Sequence, residues 1–193
     1  MNTQETQAAQ ETKETQANNA LRLAVILLLI AAVASLRLLP HPWNFTPIGA
    51  LALFGGAMLR DKRAAFLLPL ALLFAGDLVL GFYRLMPIVY ASFLVSVLIG
   101  FLLRERRTAP RVAGAALLGS VQFYLLTNFA VWAAGNLYPR TAPGLAACYA
   151  AALPFFRNTL ASDLLCAAIL FGSFALAEHF MPVLRLPAQQ QSS

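Results

Sequence analysis

HPWNFTPIGALALFGGAMLRDKR, residues 41–63, holds in one stretch the signals from which the fold is read. His41 stands between Pro40 and Pro42, Trp43 and Asn44 follow, an apolar run extends from Thr46 to Leu59, and Arg60, Lys62 and Arg63 close it. An apolar run that ends in a basic cluster is the pattern of a membrane helix whose cytoplasmic end is marked. The run is short for a hydrocarbon layer of about 30 Å, which takes about 20 helical residues. It therefore starts within the WNF segment at the interface, or protein rather than lipid surrounds its end.

The rest of the chain agrees with a membrane setting. Of 193 residues, 60% are hydrophobic and 11% charged, with a mean hydropathy of +0.69, far more apolar than a water-soluble domain. Residues 1–19 are polar and are expected to form a disordered tail. They lack the basic start of a cleavable signal, so the first helix is retained. Six spans are expected near residues 20–39, 46–59, 64–82, 87–103, 110–134 and 154–180, making an all-α transmembrane bundle over 20–182 with a short tail at 183–193. Thr46, Asp61 and Thr108 stand where helix caps belong.

Basic residues orient the bundle. Lys13, Arg22, Arg60, Lys62, Arg63, Arg104, Arg106, Arg107, Arg111 and Arg185 fall on one side, and Arg37, Arg84, Arg140 and Arg157 on the other. The richer side is cytoplasmic, which puts both termini inside. The net charge of +6 is then mostly topology and contact with lipid head groups; no nucleic-acid partner is implied.

With that orientation the unusual polar groups gather toward the outer side: Arg37, His41, Trp43, Asn44, Asp77, Tyr83, Arg84, Tyr90, Tyr124, Asn128, Trp132, Arg157, Asn158 and Asp163. Tyr124, Asn128 and Trp132 recur every four residues and share one helical face. An ionised carboxylate in lipid costs on the order of 2–3 kcal/mol, so Asp77 and Asp163 face the interior, paired or wet. Two readings stand for each: a tie between helices, or a member of an outward pocket. For HPWNF they are a pocket lip with stacking rings, or an ordinary aromatic belt. Gly49, Ala52 and Gly56 form a small-residue face for close helix packing. Residues 144–153 are too short to cross and are expected as an interfacial or re-entrant segment ending at Pro154, either a lid or a connector.

Cys148 and Cys166 lack CxxC or His spacing and are read as buried apolar residues. No metal or cofactor is expected. There is no Walker motif, GxSxG or HExxH.

HPWNFTPIGALALFGGA, GDLVLGFYRLMPIVYASF, TNFAVWAAGNLYP and PFFRNTLASDLL together resemble an uncharacterised family of small bacterial integral membrane proteins, over about residues 36–178. In size and topology the chain is also similar to the substrate-binding S components of energy-coupling-factor vitamin transporters, including solitary cobalamin importers. That second resemblance implies a multi-pass protein of the bacterial inner membrane, a vitamin-like substrate, and a coupling membrane subunit with ATPases. Ala20 and Ala24, or Ala31 and Ser35, would serve the docking pattern of the first helix, and Cys148 would be the cobalt ligand if the lid folds inward.

The expected function is uptake of a small polar or anionic nutrient through an outward pocket, with Arg84 and Arg157 holding an anion. A scaffold or assembly subunit is the alternative. A further one is an intramembrane aspartyl hydrolase, in which Asp77 and Asp163 activate water.

Overall fold

A computed structural model describes residues 3–38 and 42–185. Among these residues there are six α-helices and no strand: α1 (Thr3–Ala34), α2 (Ile48–Met58), α3 (Lys62–Leu80), α4 (Met86–Phe101), α5 (Ala109–Ala134) and α6 (Ala142–Phe180), with 3-10 turns at Ser35–Leu38 and Pro182–Leu184. Three stretches, Ala9–Ala34, Ala109–Ala134 and Ala142–Phe180, are long and apolar enough to cross a membrane. The helices α2 and α4 are apolar but shorter, and α3 carries Lys62, Arg63 and Asp77 along its 19 residues.

Two boundaries differ from the sequence reading. Residues 3–19 belong to α1 rather than to a separate tail; they are rich in Gln, Glu and Ala, which favour helix without burial. Residues 144–153 belong to α6, which runs unbroken through Pro154 for 39 residues. Its start is fixed by the Thr141 side chain, which accepts from the Gly144 N–H, and by Pro143 in the first turn. An internal proline removes one donor, and here the helix continues past it. At about 58 Å, α6 is longer than a bilayer is thick.

The bundle is built around α2, in which every residue except Gly49 is buried. Phe54 meets Phe171 and Phe174 of α6 edge-on, with ring centroids 5.1 and 6.1 Å apart. Against α4, a methyl group on Gly56 would strike the Val97 carbonyl, and one on Gly100 would strike that of Leu53. The small residues thus allow the two backbones to touch. Gly49, from the same expected face, abuts α6 instead.

Guanidinium groups cover the C-terminal end of α2. Arg104 donates from Nε to the Gly56 carbonyl (2.9 Å) and from Nη2 to that of Leu59 (2.8 Å), while Arg22 donates to that of Met58 (3.3 Å). Arg107 lies against Met58 Sδ and pairs with Glu178 of α6 at 3.3 Å. Positive charge here satisfies the last carbonyls and complements the negative end of the helix dipole. Burial lowers the pKa of the Arg104 guanidinium from its ordinary value, and its two carbonyl partners offset part of that cost. Basic residues of α1, the α4–α5 loop and the segment after α6 therefore meet at one end of the bundle, with Arg185 also donating to the Glu178 carbonyl.

Candidate functional site

Residues 42–47 approach α2 as non-helical chain. Asn44 has φ 59°, a left-handed conformation that asparagine tolerates better than most residues. Backbone carbonyls freed by this irregular path need partners where water is excluded, and α6 supplies them. Asn158 Nδ2 donates to the Trp43 carbonyl (2.9 Å), Thr159 Oγ1 to that of Asn44 (3.4 Å), and Ser162 Oγ to that of Thr46 (2.8 Å). One face of α6 is thereby laced to the segment that positions α2.

The same path leaves the start of α2 without a local cap. The expected cap at Asp61 is present in α3, where its carboxylate accepts from the Arg63 N–H at 2.9 Å. Thr46 does not cap α2: Pro47 occupies the cap position, and Thr46 Oγ1 is buried without a hydrogen bond among the described residues. Thr108 makes no side-chain cap bond either. The first backbone bond of α2 runs from Leu51 to Pro47, so the N–H groups of residues 48–50 point out of the helix end.

Asp163 of α6 lies at that end. Its carboxylate sits so close to Gly49 that a methyl group there would overlap it. Ser120 of α5 donates to Asp163 Oδ2 at 2.7 Å and the Ala50 N–H of α2 is directed at the carboxylate, while Oδ1 is buried and has no partner of good hydrogen-bond geometry among the described residues. The acid is 5% exposed and stands seventeen residues before the end of α6 at Phe180, about 25 Å along the helix. Next to it is a cavity of about 50 Å³ lined by Asn44, Thr46, Gly49, Phe93, Ser96, Gly119, Phe123, Thr159 and Asp163. The wall is apolar at Phe93 and Phe123 and rich in oxygen elsewhere. Among the described residues it contains one carboxylate and no arginine or lysine.

Of the residues singled out from sequence, Asn44 and Asp163 line this cavity, and Asn158 and Trp43 support it through their shared bond. The others occupy different contacts. Asp77 is buried in α3 and accepts from the Tyr90 hydroxyl of α4 at 2.8 Å. Tyr124 donates to the Tyr149 carbonyl (2.7 Å), and Asn128 Nδ2 to the Tyr124 carbonyl (2.8 Å). Trp132 Nε1 donates to the Pro139 carbonyl (2.9 Å). The Tyr124, Asn128 and Trp132 face thus packs on the chain from Pro139 to Tyr149. Trp43, Tyr83, Arg84 and Arg157 are exposed. His41 and the Arg37 side chain lie outside the described residues.

Sequence reasoning passed over Ser96, Gly119 and Ser120, and it read Thr46 and Gly49 as structural. The available signal was small and hydroxyl residues inside apolar helices, Gly119-Ser120 above all. Cys148 and Cys166 are buried, with Cys148 Sγ against the Asn128 carbonyl. Among the described residues no three His, Cys, Asp or Glu side chains are grouped to hold a metal.

No curated protein and no solved structure matches the chain. The sequence model of DUF6580, a family of unknown function, matches residues 17–184, and the chain belongs to that family.

Proposed function

We propose that the protein is a membrane-embedded carrier that takes up a small polar solute, neutral or cationic, through the cavity beside Asp163. The observation that carries this reading is the pair of buried, unsatisfied oxygens, Asp163 Oδ1 and Thr46 Oγ1, in residues that line one cavity at the start of a half-length helix. Buried polar atoms without partners are rare and costly, so two in one cavity wall favour a ligand over a packing contact. Interrupted helices that begin inside the bundle are the usual frame of such sites in transporters. In this reading the basic loops face the cytoplasm of a bacterial inner membrane and both termini are inside.

The chemistry of the wall narrows the solute. A lone carboxylate repels anions, and Arg84 and Arg157 are exposed rather than beside it. The anionic nutrient expected from sequence is therefore disfavoured. A volume of about 50 Å³ holds only a few water-sized groups, and a vitamin-sized ligand requires α2 and α6 to separate. The hydrolase alternative finds no support in the cavity, whose described wall includes Asp163 and not Asp77.

Uptake of labelled methylammonium, urea and glycine into vesicles containing the purified protein tests the proposal. At least one should enter faster than into protein-free vesicles, and Asp163→Asn should abolish the difference. Equal rates for all three would count against a carrier of small polar solutes.

A further inference from the structure

Ionised, the Asp163 carboxylate carries a full negative charge, and what faces it is one hydroxyl, from Ser120, and the N-terminal end of α2 with the Ala50 N–H. A helix N-terminus carries about half a positive charge. Among the described residues no guanidinium or ammonium group lines the cavity. Buried carboxylates are ordinarily paired or hold a cation, because desolvating an unpaired one is expensive.

The geometry points to a site for one sodium-sized monovalent cation, bound in the cavity by Asp163 Oδ1 and Thr46 Oγ1, with Thr159 Oγ1 and Ser96 Oγ completing an all-oxygen shell. This assignment rests on the carrier reading only for its purpose: the ion is the solute itself or travels with it. Oxygen donors select hard cations, and among the described residues the wall has no histidine or thiol, the donors that zinc, copper and iron prefer. Charge selects the valence. One carboxylate neutralises a monovalent ion, whereas a divalent ion would leave a net positive charge beside the positive end of α2. Calcium sites, moreover, take six to eight oxygens and usually several carboxylates. The volume matches one ion with one or two waters. Gly49 keeps the floor of the site open, since any side chain there would occupy the place of the carboxylate.

The test is equilibrium binding of labelled sodium to the detergent-solubilised full-length protein, with thermal unfolding in sodium chloride against choline chloride at equal ionic strength. One sodium should bind per chain, and saturating sodium should raise the melting temperature by about 3 °C or more. Asp163→Asn should remove both effects. Because that variant also alters packing, Thr46→Val is the sharper probe. Its hydroxyl makes no hydrogen bond among the described residues, so the variant should fold as well as the parent yet bind sodium about tenfold more weakly. Melting curves identical in sodium and choline, or Thr46→Val with undiminished sodium binding, would overturn the assignment. Solute uptake without sodium binding would leave the carrier intact and refute the ion site; sodium binding without uptake would do the reverse.

Discussion

Gly49 and Asp163, from two helices, approach so closely that the glycine hydrogen is the largest group the carboxylate tolerates. The contact joins the start of α2 to the middle of α6, and it places an acid where the adjacent sequence supplies no cap. At the other end of α2, Arg104 donates to two of the last carbonyls. An eleven-residue helix, wholly inside the bundle but for one glycine, is thus held by negative charge at its start and positive charge at its end, as its dipole requires.

Gly49→Ala should force the carboxylate off its position. The expected cost is about 1–3 kcal/mol, typical of overpacking, together with loss of ligand binding at the cavity. Thermal unfolding in detergent measures the first and sodium binding the second. An alanine variant with unchanged stability and binding would show that Asp163 has room to turn aside.

Gly56→Ala and Gly100→Ala should be worse for folding and irrelevant to the chemistry of the site. There the added methyl group meets backbone carbonyls of the facing helix, which move only if α2 and α4 separate. A loss of about 3 kcal/mol or more, seen as poor yield and a lowered melting temperature, is expected for either.

Arg104→Met should cost about 2 kcal/mol by leaving the Gly56 and Leu59 carbonyls without their donors. Arg104→Lys should recover little of it, because one ammonium group does not reproduce a planar fork that reaches both carbonyls. Full rescue by lysine, measured by chemical unfolding, would mean that charge alone is what α2 needs at this end.

Tyr90→Phe removes the hydroxyl that Asp77 accepts from. A moderate loss of stability, about 1 kcal/mol, with sodium binding unchanged, is expected if this pair ties α3 to α4 apart from the cavity. A tenfold change in sodium affinity would instead join Asp77 to the site.

The helical, membrane-type character of the chain was legible in composition and in the apolar runs, because both follow from the thickness and dielectric of the lipid. Asp163 and Asn44 were legible as cavity residues, since polar groups in apolar helices stand out wherever they occur. What sequence left hidden was which polar residues share a space. Tyr124, Asn128 and Trp132 do lie on one face, but that face meets the chain from Pro139 to Tyr149, and helical spacing carries no information about which neighbour a face will meet. Thr46 and Gly49 were read through local rules, as a cap and as a packing residue. Their place beside Asp163 depends instead on three long-range bonds from α6 to the backbone of residues 43–46. The continuity of α6 across Pro154 was masked by a rule that treats proline as a boundary, although the helix here continues past the lost donor and the crowded carbonyl one turn back.

Diffraction from crystals grown in a sodium salt and in a choline salt, fine enough to tell an ion from a water by its contact distances, examines the central claim at its own location. A single peak in the cavity, closer to Asp163 Oδ1 and Thr46 Oγ1 than a hydrogen-bonded water would lie and lost when choline replaces sodium, is the predicted result. A cavity that holds only water at ordinary hydrogen-bond distances in both salts, or is closed by the side chains around it, would contradict the account.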